Sequence, residues 1–215
     1  MSAEIIPTLL TNEADLAIQH LAYLDKAKIP AVQIDVMDQT FVANTSWHDP
    51  EEFSLHDFSL QAILHLMIQD PETEIKKWLP KNIKRVLWHL EAPVNHERLL
   101  SICKKQNLEV GLAVSPGTHI RALLPYIDKL DEALILGVHP GWSGQTLIPS
   151  TVKKIGELKK MAPGLRIGFD GGIRVSNIAR LNQEGATRFY VDPFKGSDPM
   201  SHLKQMTSAL KRGTL

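Results

Sequence analysis

The chain has 215 residues, 43% hydrophobic and 22% charged, the composition of an ordinary globular protein able to bury a full core. Lysine plus arginine equals aspartate plus glutamate at 24 each, so no excess charge steers the protein toward nucleic acid or an anionic membrane. An anion site, if present, must therefore be local.

The start, MSAEIIPTLL, contains an acidic residue and too short an apolar run for a signal peptide, and no later stretch approaches a membrane span. A soluble, cytoplasmic protein is expected. Apolar runs of strand length begin at Ile5, Ala31, Gln61, Ile83, Glu109, Ala133, Leu165 and Arg188, each followed by enough chain for a crossover helix. The first helical stripe follows Asn12, with Ala14, Ala17, Ile18, Leu21 and Leu24 on one face; others follow Pro71, Asn95 and Pro199. Val152, Ile155 and Leu158 form a stripe after Ser150, and Ser176 is placed to cap the helix carrying Ile178 and Leu181. The segment from Asp49 to Ser59 gives the weakest helical pattern. Cys103, the one cysteine, sits in a helical stretch and reads as a small buried hydrophobe. Eight β/α units over residues 1–215, without a linker, predict one closed (β/α)₈ barrel. An open doubly wound sheet is the alternative, but no G-x-G-x-x-G fingerprint supports it.

Several strands carry polar groups on one face. In Ala31 to Met37, Val32, Ile34 and Val36 suit the helix layer, which turns Gln33, Asp35 and Met37 into the barrel. Taken alone, Asp35 is equally consistent with a hydrogen-bonded interior carboxylate. In the third strand Ile63, His65 and Met67 share the inner face, and a lone interior histidine is usually structural. The seventh reads IGFDGGI: Ile167 and Phe169 face the helices, Asp170 faces inward, and Gly171 with Gly172 bring bare backbone to the strand end. A tight turn explains the glycines but not the inward acid. Two carboxylates and a histidine from three strands thus converge on one mouth. The loop GVHPGWSGQTLIP has glycines at 137, 141 and 144, so its amides can wrap an anion, and its length suits a lid. His89 and Glu91, also near a strand end, are expected to be structural or to support the site from behind.

The stretches QIDVMDQTFVAN (33–44), LHLMIQDP (64–71), WHLEA (88–92), VSPGT (114–118), GVHPGWSGQ (137–145) and FDGGI (169–173) resemble, in order and spacing, the ribulose-phosphate 3-epimerase family. The resemblance runs from IIPTLL to about Gly185 and implies a barrel of the ribulose-phosphate-binding type, acting on a pentose phosphate or related sugar phosphate and able to form homo-oligomers. It implies Asp35 and Asp170 as acid and base on opposite faces of the sugar, and also as metal ligands beside His65. The remaining ligand, a histidine in the family, is Gln33 here. A divalent cation such as zinc, manganese, magnesium or iron is implied, but a neutral amide oxygen in place of an imidazole weakens a zinc-like site and suits a harder ion.

By the same resemblance Thr8, Met37, His65 and Met67 would contact substrate, with Leu136 where a third methionine is common. Phosphate would lie on amides of Gly141, Trp142, Ser143, Gly144, Gly171 and Gly172. A glycine and serine of the family align with Asp192 and Pro193; an aspartate repels phosphate and a proline has no amide hydrogen, leaving Lys195, or Gly196 and Ser197, to take over. The expected function is inversion of the carbon beside a ketose-phosphate carbonyl through an enediolate. Another reading is a catalytically impaired or non-catalytic sugar-phosphate-binding barrel. A third, decarboxylase or aldolase chemistry, usually needs a lysine beside the aspartate, which DVMD does not offer.

Overall fold

A computed structural model describes residues 2–79, 81–196 and 198–213. Eight parallel strands close in sequence order: β1 (Glu4–Leu9), β2 (Ala31–Met37), β3 (Gln61–Met67), β4 (Ile83–His89), β5 (Glu109–Val114), β6 (Glu132–Leu136), β7 (Arg166–Asp170) and β8 (Arg188–Val191). β8 pairs back onto β1, so no strand edge is left open. Three strand starts differ by one residue from the sequence expectation, at Glu4, Glu132 and Arg166.

The outer layer contains α1 (Ala14–Lys26), α2 (Pro50–Leu55), α3 (Pro71–Trp78), α4 (His96–Lys105), α5 (Pro149–Met161), α6 (Ile178–Glu184) and α7 (Pro199–Arg212). The weak Asp49 to Ser59 segment does contain a helix: Asp49 accepts from the amides of Glu51 and Glu52, and Pro50 sets the first turn. Three expected helix starts shift. Glu13 occupies the N-cap position of α1, α5 begins at Pro149, and Asn177 rather than Ser176 precedes α6. Asn177 is held there because its side-chain oxygen accepts from the Arg174 amide. Between β5 and β6 the described chain has no α-helix, only 3₁₀ turns at Ile120–Leu123 and Ile127–Lys129. Pro125 lies between them, where a continuing helix would need its missing N–H.

The strand alternation builds the interior in tiers. Val32, Ile34, Val36, Leu64, Leu66, Ile167 and Phe169 join the large core between barrel and helices. Inside the barrel, Ile6, Ile63, Leu87, Ala113, Leu134 and Tyr190 belong to a second, smaller cluster. Toward the amino ends of the strands lies a charged tier: Glu132 Oε2 accepts from Arg188 at 2.6 Å, and its Oε1 accepts from the Tyr190 hydroxyl at 2.8 Å. The Arg85 guanidinium donates to Tyr190 Oη and Glu109. Gly168 is required here, because a Cβ on it would run into the Glu132 carboxylate. Cys103 is buried in the outer core, and burial pushes its thiol up to about 12, which keeps it protonated and a poor nucleophile. No helix is long and apolar enough to cross a membrane among the described residues.

Candidate active site

The third tier opens at the carboxyl ends of the strands. Parallel pairing sets Asp35 beside His65 and Met37 beside Met67, while Thr8 lies beside Gln33 and Asp170 beside Tyr190. The alternation read from β2, β3 and β7 therefore converges as expected: one ligating atom each from Asp35, His65 and Asp170 lies within 4.8 Å of the others. Gln33, fully buried, ties the acids together. Its Nε2 donates to Asp35 Oδ1 at 2.9 Å and to Asp170 Oδ2 at 2.8 Å. The other end of the same amide, Oε1, is buried without a hydrogen-bond partner.

Burial and like charge then decide protonation. Burial first, and the Asp35 charge second, raise Asp170 to about 7, against the opposing pull of His65 and the Gln33 hydrogen bond. Burial disfavours the charged form of His65, but its hydrogen bond to Asp35 and the charges of Asp35 and Asp170 outweigh this and raise its pKa. Behind it, burial drives His89 down to about 4 despite its Glu91 partner. A charged His65 can donate from Nδ1 to Asp35 Oδ1 at 3.0 Å and from Nε2 to neutral His89 Nε2 at 3.2 Å. His89 Nδ1 faces Glu91 Oε2 at 3.3 Å, and Glu91 Oε1 accepts from the Ser115 amide. His89 and Glu91 thus stand behind the first row of polar groups, continuous with it.

Above this cluster lies a cavity of about 430 Å³. Thr8, Asp35, His65, Met67 and Leu136 line it together with Asp170, Gly171 and Gly172. Gly141, Trp142, Ser143 and Gly144 form one wall. Met37 does not line it: it is fully buried, its amide bonded to Ser46 Oγ. The glycine loop is braced from β2's side, since Asn44 donates its side-chain amide to the Gly141 carbonyl. Gly172 has φ +70°, and a Cβ there would sit 2.6 Å from Leu147 Cα. Arg174, Lys195 and His202 also line the cavity; the sequence drew attention to Lys195 only.

A family model described as the ribulose-phosphate 3 epimerase family matches residues 4–192. The chain belongs to the ribulose-phosphate 3-epimerase family. It is 28% identical over 196 residues to the ribulose-phosphate 3-epimerase of Schizosaccharomyces pombe, covering 86% of this chain and 83% of that one. With the Buchnera aphidicola enzyme of that name it shares 30% identity over 191 residues, covering 86% and 84%. Among solved structures, KGPDC from Streptococcus mutans superposes with a TM-score of 0.73 over the whole of both chains at 12% identity. The 3-keto-L-gulonate-6-phosphate decarboxylase of Vibrio cholerae gives 0.71 over 98% of each at 11%. At such identities these two show the barrel alone.

Within this epimerase family framework, the donor set fits a divalent cation: two carboxylates and an imidazole already converge. Gln33 completes it if its amide turns over, because the partnerless Oε1 would then point where Nε2 now meets both acids. Three oxygens and one nitrogen favour a hard ion over a thiolate-type or imidazole-rich zinc site. Asp192, where the family resemblance places an amide cradle, turns its Oδ1 back to accept the Phe194 amide at 3.0 Å. Ser197 lies outside the described residues.

Proposed function

We propose that the protein epimerises a ketose phosphate at the carbon beside the carbonyl, through an enediolate, with Asp35 and Asp170 as base and acid. The observation that carries this reading is the pair itself: two carboxyl groups from β2 and β7, joined through Gln33, on the floor of one cavity at the barrel's carboxyl end. A proton beside a carbonyl is weakly acidic, so inversion needs a base on one face, a proton donor on the other, and positive charge or donors near the oxygens. Near neutral pH, Asp170 retaining a proton beside Asp35 supplies unlike roles from like residues.

Asp35 takes the proton, the C–H electron pair becomes the enediolate π bond, and Asp170 delivers a proton to the opposite face. The carbon is then inverted, Asp35 is protonated and Asp170 ionised; the reverse reaction exchanges the roles. The pull of Asp35 and Asp170 favours a proton on His65, which is held between Asp35 and His89. A divalent cation held by Asp35, the neutral imidazole of His65, Asp170 and the Gln33 carbonyl oxygen would, when bound, replace any proton on His65 and supply positive charge beside the substrate oxygens. Met67 and Leu136 give that end of the cavity apolar walls, which exclude water from the carbanion. The phosphate would lie toward Gly141 to Gly144 and Gly172.

The test is turnover of ribulose 5-phosphate followed by NMR, with Asp35→Asn and Asp170→Asn as controls. Inversion by the unaltered protein and its loss in both variants, with folding retained, supports the reading. Tight substrate binding without inversion, even with added divalent cations, would mean a binding barrel instead.

A further inference from the structure

The cavity has a second charged end, and its cation is a side chain. Lys195, in the loop after β8, lines the same cavity as Asp35 and Asp170. Its ammonium reaches across to the opposite wall: a Cβ built on Gly144 would lie 3.4 Å from Lys195 Nζ. Lys195 Nζ thus stands over the open side of Gly144, at φ +85°, where a side chain would otherwise begin.

An ordinary surface ion pair with Asp192 is the competing explanation. That contact is loose, 3.8 Å from Nζ to Oδ2, whereas Lys76 and Lys77 reach their glutamates at 2.9 and 2.8 Å. Asp192 is also partly engaged elsewhere, since its Oδ1 accepts the Phe194 amide. Pairing with Asp192 accounts for the 3.8 Å contact but not for the approach to Gly144. The loop that carries Lys195 is anchored next to it. Phe194 stacks flat on His20 of α1, with ring centroids 3.5 Å apart and planes 5° apart, and meets Tyr23 edge-on. That anchor holds the lysine stem over the cavity, so little backbone ordering remains to be done on binding. Arg174, which has no ion pair among the described residues, and His202 line the cavity as well.

We propose that Lys195 is the cationic arm that holds the phosphate of the substrate against the Gly141 to Gly144 loop, and that Asp192 is the counterion it gives up on binding. This rests on the ketose-phosphate reading for the identity of the ligand, but the anion grip is testable without turnover. A dianion entering between Lys195 and the loop amides gains a charge-assisted contact and loses a carboxylate neighbour. Recognition by a lysine side chain should also be more salt-sensitive than recognition by amides alone.

The experiment titrates inorganic phosphate into the full-length protein by ³¹P NMR or calorimetry, for the unaltered chain and for Lys195→Gln, Lys195→Arg and Asp192→Asn. Lys195→Gln is expected to weaken phosphate about tenfold or more, Lys195→Arg to restore most of the affinity, and Asp192→Asn to tighten it several-fold. Lys195 is half exposed, so these variants should fold, and circular dichroism checks that they do. In turnover, Lys195→Gln should raise KM for ribulose 5-phosphate with kcat within about twofold, the signature of lost uniform binding. Phosphate affinity unchanged within about twofold by Lys195→Gln, or no phosphate binding by the unaltered protein, overturns the proposal. Lysine-dependent phosphate binding in a protein that inverts no ketose phosphate would leave this grip standing and remove the epimerase reading.

Discussion

Gln33 Nε2 donates to Asp170 Oδ2 at 2.8 Å, joining two strands that are not neighbours in the barrel. With its second hydrogen on Asp35, this amide stands between two acids where a cation would otherwise screen them. Its orientation therefore separates two states of the site: nitrogen inward bridges the carboxylates, and oxygen inward offers a ligand. Gln33→His replaces the weak donor with an imidazole and should raise zinc affinity at least about tenfold, read by calorimetry or elemental analysis after dialysis. Zinc held as tightly by the unaltered protein would contradict this account of Gln33.

Asp170 makes the site pH-sensitive. Its carboxyl keeps a proton to about 7 in the folded chain, well above an ordinary carboxylate, so between the two values the folded state binds more protons than the unfolded. The stability this gives is fully present below the ordinary carboxylate range and is lost as pH rises through about 7. Asp170→Asn should flatten that part of the stability profile, measured by urea unfolding between pH 4 and 8, both values being roughly the bracket set by the shift. Catalysis should share the limit, with kcat/KM falling above about 7 as the acid loses its proton. An unchanged stability slope in the variant would remove Asp170 as the titrating group.

The charged tier below the site supports the barrel. Glu132 is fully buried and receives hydrogen bonds from Arg188 and Tyr190. Glu132→Gln strands buried guanidinium charge and should cost about 3–5 kcal/mol of unfolding free energy. A loss under about 1 kcal/mol would show that water or Glu109 compensates.

Gly172→Ala tests the turn after β7. The substitution places a side chain at φ +70° and against the Leu147 backbone, so it should destabilise by roughly 1–3 kcal/mol or more and weaken any anion held by the loop. Normal stability and phosphate binding would mean the turn relaxes freely.

Much of this was legible in the sequence because strands alternate: the placement of Gln33, Asp35, His65 and Asp170 followed from which neighbours were apolar. Pairing across the barrel was not legible. Nothing in QIDVMD says that Gln33 spans to Asp170, and nothing in the β8 loop says that Lys195 reaches Gly144, because both contacts join residues far apart in the chain. Arg85, Glu132 and Arg188 did not stand out as interior, since each charge is tolerable there only beside the others. Met37 shared the correct face of β2, yet it lies buried outside the cavity lining, with its backbone amide tied to Ser46. Between β5 and β6, where the strand spacing left room for a crossover helix, the described chain forms only 3₁₀ turns, and Pro125 between them was a local signal available in the sequence.

The central claim is proton transfer by two carboxyl groups, and solvent exchange measures it most directly. Ribulose 5-phosphate turned over in deuterium oxide should acquire deuterium at the carbon beside the carbonyl, because a proton taken by Asp35 and one delivered by Asp170 can each exchange with water between turnovers. Asp35→Asn and Asp170→Asn should each lower incorporation at the inverted carbon by at least about a hundredfold while the barrel stays folded. Inversion with deuterium uptake proceeding undiminished in either variant, or inversion without deuterium uptake in the unaltered protein, would contradict the two-carboxyl account.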